Sequence, residues 1–305
     1  IQSFIQYDKQ FTRPINEIAE ISSMLQAMAA ASERILEFLE EPEEEKDPEN
    51  AISTEGIKGN VRFDHVQFGY NEDKVIIHDF NENVKDGQKI AIVGPTGAGK
   101  TTIVKLLMRF YDVNKGAILV DGHNIQEFKR GDLRKVFGMV LQDTWLFGGT
   151  IKENIKYGKP DATDEEVIEA AKAAHVHHFI QTLPKGYDMV IDEESNNISQ
   201  GQKQLLTIAR VILTNPEILI LDEATSSIDT RTEEQIQAAM DNLMKGRTSF
   251  IIAHRLSTIK NADLILVMNE GDIIEQGTHE DLLEKGGFYA NLYNSQFQDC
   301  DDEAV

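Results

Sequence analysis

Three continuous apolar runs, Ile218-Leu219-Ile220-Leu221, Phe250-Ile251-Ile252 and Leu264-Ile265-Leu266-Val267, punctuate the second half of the chain, and Ile90-Ala91-Ile92-Val93 is a fourth. Short runs without alternation predict strands buried on both faces of a parallel sheet. Paired or alternating apolar residues predict further strands at Val61 and Phe63, at Val66, Phe68 and Tyr70, and from Val75 to Phe80, a β-rich start to the domain. Ile118 to Val120 and Val136 to Leu141 add two more. Elsewhere the period lengthens. Phe11, Ile15, Ile18, Ile21, Leu25, Met28, Ile35 and Phe38 predict one amphipathic helix over roughly residues 11–40, with Pro14 near its start. Residues 163–182 and 200–213 predict a helical insert, and Glu270-Gly271-Asp272 predicts the turn of a closing hairpin. The charged, proline-punctuated stretch from Glu40 to Glu49 has nothing to bury and reads as a linker.

One loop among these elements carries chemistry. Gly94-Pro95-Thr96-Gly97-Ala98-Gly99-Lys100-Thr101 stands between a predicted strand and a helical pattern at Ile103, Leu106, Leu107 and Phe110. That is the context of a phosphate-binding loop. Glycines let the backbone wrap a phosphate, the N–H groups and helix N-terminus supply positive potential, and Lys100 adds a mobile charge. The loop therefore points to a nucleoside triphosphate, with the Thr101 hydroxyl offered to Mg2+.

Polar residues follow the buried strands: Asp222-Glu223 after Leu221, His254 after Ala253, Gln142 after Leu141. Ligands of parallel α/β sheets sit at the carboxyl ends of the strands, so these residues are expected to converge on the loop. Asp222 suits the metal-orienting carboxylate, and Glu223 suits a group that orients or deprotonates the attacking water. His254 is either a structural strand-end histidine or a donor to the γ-phosphate, and Gln142 taken singly is any loop amide. Tyr70 is either a core aromatic or a flat surface for stacking adenine. His175, His177 and His178 lie on a polar helical segment without a nearby cysteine and read as a solvated helix face rather than a metal site.

Composition narrows the partners. The 305 residues, 41% hydrophobic, can bury one large core or two modest ones. A formal charge of −22 argues against a nucleic-acid partner, DNA included, because that footprint needs clustered Lys and Arg. The single cysteine, Cys300, excludes an internal disulfide framework and suits a reducing compartment. There is no 18-residue apolar run and no basic-then-apolar order in residues 1–20, and the chain begins on Ile, as a piece of a longer protein does.

Ile198-Ser199-Gln200-Gly201-Gln202, followed by a helical run and the Asp222-Glu223 strand, resembles the signature sequence of ATP-binding cassette ATPases. Over residues 61–297 the chain resembles the nucleotide-binding domain of an exporter-type, multidrug-like ABC half transporter. The resemblance implies an α/β P-loop NTPase with a RecA-like core, an antiparallel β subdomain and a helical signature subdomain, preceded by a single amphipathic helix. It implies Tyr70 as the adenine-stacking aromatic and Gly94, Pro95, Thr96, Gly97, Ala98, Gly99, Lys100, Thr101 and Thr102 as Walker A. Gln142 then matches the Q-loop, Asp222 the Walker B aspartate, Glu223 the catalytic glutamate, Asp229 the D-loop aspartate and His254 the switch histidine. Catalysis would rest on Glu223, His254, Gln142 and Lys100, with ATP and Mg2+ as cofactors and the metal held by Thr101, Gln142 and Asp222.

The same resemblance implies an organisation: residues 1–40 as the end of the last transmembrane helix, 41–56 as an acidic linker, 57–297 as the ATPase domain and 298–305 as an acidic tail. Two such domains, as homodimer or heterodimer, would sandwich two ATP molecules, each between Lys100 of one chain and Ser199, Gly201 and Gln202 of the other. The membrane domain would belong to the same polypeptide, the ATPase would lie on the cytoplasmic face of the cell membrane, and the exported substrate would be a drug or a lipid. Two departures stand out. Ile198 and Gln200 replace the first and third residues of the common Leu-Ser-Gly-Gly-Gln signature, and residues 193–197 lack the Gly-Glu-x-Gly pattern of many exporters. A heterodimeric exporter fits both. Cassette ATPases of DNA repair carry a long coiled coil between Walker A and the signature, whereas Lys100 and Ser199 are 99 positions apart. Cassettes that bind ATP without hydrolysing it usually lose the glutamate or the histidine, and Glu223 and His254 are both present.

Overall fold

The continuous apolar runs become the central strands of one sheet. In chain order the strands are β1 (Val61–Phe68), β2 (Ile77–Val84), β3 (Lys89–Val93), β4 (Lys115–Val120), β5 (His123–Asn124), β6 (Phe137–Val140), β7 (Gly149–Thr150), β8 (Val190–Ile191), β9 (Ile218–Asp222), β10 (Thr248–Ile252), β11 (Leu264–Asn269) and β12 (Asp272–Gly277). A six-stranded sheet runs β12-β11-β3-β10-β9-β6. It is parallel except for β12, which folds back on β11 across the Glu270-Gly271 turn. An antiparallel sheet, β2-β1-β4-β5, lies beside it, and β7 and β8 form a short separate pair. The computed structural model describes residues 1–41, 43–71, 73–141, 144–192, 197–222, 229–252 and 256–301, without the side chains of 256–257 and 296–301.

The six-stranded sheet divides the hydrophobic core in two, which explains why its strands do not alternate with polar residues. Ile90, Ile92, Ile220, Phe250 and Leu266 join Val61, Phe63 and Phe80 of the antiparallel sheet. Their immediate neighbours Ala91, Val93, Leu221, Ile251 and Val267 point the other way, to Val167, Leu205, Leu206 and Ile208 of the helical part. The period of two is present, but it separates one core from another instead of core from water. Two helices pack in the two clusters, one on each side of the sheet. Lys100–Leu107 buries Ile103, Val104, Leu106 and Leu107 in the first cluster, and Gln200–Thr214 buries Leu205, Leu206 and Ile208 in the second.

Three expectations from periodicity are revised. The predicted helix over 163–182 is two helices, Asp164–Ala173 and His177–Thr182. His175 between them has φ 57°, a left-handed backbone that no α-helix continues through. The strand expected from Val75 begins at Ile77, and β1 stops at Phe68, so Tyr70 lies beyond its end. In the first of two compact units, Ile1–Lys46, the helix spans Gln2–Glu40 rather than starting near residue 11. Pro14 is inside it, where the imide nitrogen donates no bond to the carbonyl of Gln10. None of its residues is buried, and among the described residues no helix is long and apolar enough to cross a membrane.

The second unit, Asp47–Val305, starts within the charged stretch. The Asp47 carboxylate accepts from the Arg130 amide at 3.0 Å, Ile52 N donates to Glu127 O at 2.9 Å, and the Asp121 carboxylate accepts from the amides of Lys58, Gly59 and Asn60. Acidic residues here find specific donors and lace the segment to the domain.

Candidate nucleotide site

Register brings the site together. Ile92 of β3 pairs with Ile252 of β10, which pairs with Asp222 of β9, so the loop after β3 and the ends of β9 and β10 share the carboxyl edge of the sheet. The loop itself is shaped by what it touches. Gly94 sits at φ 151°, and a Cβ there would lie 2.1 Å from the carbonyl oxygen of Met268. Only glycine lets the backbone approach β11 so closely.

The hairpin turn buttresses the loop from the other side. Gly271 N donates to Ala98 O at 3.1 Å, and a Cβ on Gly271 would meet Ile76 O at 1.9 Å. Turn, loop and β2 approach are therefore locked together. Gly271→Ala should cost about 2 kcal/mol, or roughly 4–8 °C in Tm, and weaken ATP binding as the loop shifts. Thermal melting with and without ATP checks this; an unchanged Tm and an unchanged ATP-dependent shift would show that the turn does not support the loop.

Lys100 opens the following helix, and its Nζ donates to Gly94 O at 2.7 Å and to Pro95 O at 3.0 Å. Burial strips hydration from the ammonium and lowers its pKa, while the Asp222 carboxylate pulls it back up. The two charges face a pocket of about 380 Å3 lined also by Thr96, Gly97, Gly99, Thr101 and Thr102. Ile76 and Ile252 complete its wall. Neither was anticipated; the one signal for Ile252 is that it is the last apolar residue before the strand end. The pocket thus joins the loop to Asp222, as the sequence predicts, within one chain.

Tyr70 is not a core residue; it touches Thr102, which lines the pocket. It is 41% exposed, its hydroxyl lies 3.4 Å from Thr102 Oγ1, and the Lys105 ammonium sits 5.5 Å from its ring centroid. The core reading of Tyr70 does not survive that exposure.

Ser199, Gly201 and Gln202 are elsewhere. Ser199 caps the Gln200–Thr214 helix: its Oγ accepts from Gln202 N at 3.3 Å, and Gln202 Oε1 accepts from Ser199 N at 3.0 Å. This reciprocal capping box explains the Ser-x-x-Gln spacing structurally and is worth about 1 kcal/mol. Gln200, the departure from the common signature, donates to Thr144 Oγ1 at 3.2 Å, and Ile198 is buried in the second core cluster. The helix is about 22 Å long at 1.5 Å per residue, whereas β9 is five residues. Val211 and Pro216 pack near Gly138 at its far end, and no residue of its first turn lines the pocket. Asp229 is also outside the pocket lining. It caps the Thr230–Met244 helix, and the Thr232 amide that donates to it holds its carboxyl below the usual range.

Gln142, Glu223 and His254 lie outside the described residues, as do residues 193–196 and the side chain of Cys300 with the tail that follows it. Of the three histidines, His177 Nδ1 pairs with Tyr187 Oη at 2.7 Å and His175 Nε2 lies 3.4 Å from Asn242 Nδ2. Among the described residues no group of three His, Cys, Asp or Glu is placed to hold a metal ion.

A model of the ABC transporter family matches residues 77–226, which hold the loop, the signature and Asp222. The ABC transporter ATP-binding protein YfiC of Bacillus subtilis is 52% identical over 97% of this chain. The fatty acid ABC transporter ATP-binding/permease protein of Mycobacterium bovis is 53% identical over 96%. The solved structure of a bacterial Atm1-family ABC exporter with ATP bound superposes with a TM-score of 0.80 at 41% identity, covering 95% of this chain and 50% of that one. This chain spans about half the length of these relatives, 49% of the first and 46% of the second. With the phosphate loop and Asp222 in one pocket and the signature on a capped helix of the same unit, the chain belongs to the ABC transporter family as an ATP-binding domain of the exporter type.

Proposed function

We propose that this chain is the ATP-hydrolysing part of an exporter that carries its membrane domain in the same polypeptide and works on the cytoplasmic face of the cell membrane. The observation that carries the reading is the joint presence of Lys100, Thr101 and Asp222 around one pocket at the carboxyl edge of the sheet. In it the loop amides and Lys100 bind the triphosphate, and Tyr70 stacks on adenine. The residues fit Mg2+: a hydroxyl and a carboxylate are hard oxygen donors, and Mg2+ is commonly held by one or two such groups with phosphate oxygens. Thr101, Asp222 and Gln142 would hold it, and the ion supplies charge neutralisation of the β- and γ-phosphates. Glu223 takes the proton of the attacking water, while His254 and Lys100 stabilise charge developing on the γ-phosphate.

A sandwich of two domains is the partner arrangement that fits this pocket. Among the described residues Ser199, Gly201 and Gln202 do not line it; in this reading the signature reaches it from a second domain, identical or different, with Asp229 at the same contact. The Gln2–Glu40 helix, with no buried residue, then continues from the membrane domain through a linker over 41–56, the ATPase domain running from 57 to 297 before an acidic tail. The cargo class is apolar, drugs or lipids; a relative named for fatty acid transport supports it. In the full-length protein in lipid vesicles, ATP hydrolysis should require Mg2+, and Asp222→Asn should slow it on the order of a hundredfold by removing the metal-orienting charge. Hydrolysis that proceeds at the normal rate in Asp222→Asn would overturn the reading.

A further inference from the structure

The stacking role of Tyr70 demands a ring held in one orientation, yet Tyr70 lies beyond the end of β1 with 41% of its surface exposed. What fixes it is the segment that follows the loop helix. Tyr111 stands perpendicular to Tyr70, centroids 5.0 Å apart and planes at 83°, and Phe68 meets Tyr70 at 5.1 Å with the same angle. Asn114 holds the backbone just before Tyr70, on either side of Phe68: its Oδ1 accepts from Gly69 N at 2.7 Å and its amide donates to Gln67 O at 3.0 Å. The segment is itself anchored. The Asp112 carboxylate accepts from Arg109 Nε at 3.0 Å and from Arg130 Nη2 at 2.9 Å, and both guanidinium groups are almost fully buried. Burial pushes the Asp112 carboxyl up, but the hydrogen bond and charge of Arg109 and the charge of Arg130 outweigh it and hold it below the usual carboxylate range.

We infer that the 110–114 segment positions Tyr70 for the nucleotide base, with Tyr111 acting on the ring and Asn114 on the backbone. The inference rests on the stacking role proposed above and goes beyond it by naming what pre-orders the ring. Tyr111 is 44% exposed, so its contact with Tyr70 is a surface contact rather than a core one. A ring that is already ordered loses less rotamer freedom when a base stacks on it. Tyr111 is a positioning residue: it acts through Tyr70.

The test uses the full-length protein in lipid vesicles and two probes, ATP and inorganic triphosphate, which lacks the base. Tyr111→Ala should weaken ATP binding about three- to fivefold and raise KM without changing kcat, while triphosphate binding stays unchanged. Tyr111→Phe keeps the ring and should bind both probes as the native chain does. Tyr70→Ala should weaken ATP alone, and adding Tyr111→Ala to it should cost nothing further, because the contact through which Tyr111 acts is gone. Equal losses for ATP and triphosphate in Tyr111→Ala would overturn the inference in favour of general damage to the loop. So would additive losses in the double variant, or native ATP binding in Tyr111→Ala while Tyr70→Ala is weak. Native ATP binding in Tyr70→Ala removes the stacking role, and the inference falls with it.

Discussion

Glu223→Gln in the full-length protein should hydrolyse ATP at least about a hundredfold more slowly while binding it with native affinity. In the proposed mechanism the two carboxylates after Leu221 have different duties. Asp222 lines the pocket beside Lys100, and its charge already acts on the ammonium, so changing it disturbs ligand and metal together. Glu223 is the next residue of the chain and, as a carboxylate, offers a phosphate no donor, so affinity is expected to survive its change. Glutamine keeps its shape and its hydrogen-bonding reach but accepts no proton at neutral pH, so the loss falls on the step that activates water. If ATP holds two domains together and hydrolysis releases them, the variant should also accumulate ATP-dependent dimers, measurable by cross-linking across the nucleotide-binding domains. Turnover near the native rate, with the protein assembled in vesicles, would mean the proton acceptor is another group.

The parts of this site legible in the sequence are those whose cause is local. A glycine loop between a buried strand and a helix announces itself because strand, loop and helix are contiguous, and an apolar run ending in Asp222 announces the carboxyl edge for the same reason. The hairpin at Glu270-Gly271-Asp272 was equally plain, but its function was not. That Gly271 donates to Ala98 depends on a contact between residues more than 170 positions apart, which no periodicity encodes. The same holds around Tyr70: its exposed aromatic partner Tyr111 and its backbone partner Asn114 arrive through a fold-level approach of β1 to the segment before β4. Helix boundaries failed where a single backbone angle decided the outcome. The helical spacing over residues 163–182 carries no sign of His175, whose positive φ ends one helix before the next begins. The charged stretch carries no sign of its anchor either: acidic residues bury nothing in a core, but Asp47 is tied down by the amide and the guanidinium of Arg130.

Mixing two inactive variants should restore about a quarter of native turnover if this chain forms a homodimer with composite sites. One variant is Lys100→Ala, which removes the ammonium from the pocket; the other is Ser199→Arg, which places a bulky cation at the helix start where a phosphate would approach. Ser199→Arg also removes a capping oxygen, but about 1 kcal/mol lost from the 5–15 kcal/mol typical of a folded domain leaves the chain folded. In a mixed dimer both defects fall in one site when the signature acts in trans, and the other site is intact. Random assembly makes half of all dimers mixed. A site built within one chain would place one defect in each protomer and leave no intact site in any combination. Mixed dimers that form, bind ATP and stay inactive would therefore count against a homodimer with independent trans sites. A heterodimer makes a different forecast, in line with Ile198 and Gln200 in the signature: this chain alone should turn over ATP poorly at every concentration and recover only with a distinct partner subunit. Strong, concentration-dependent turnover by this chain alone would decide for the homodimer, because the partner domain is then a second copy of this chain.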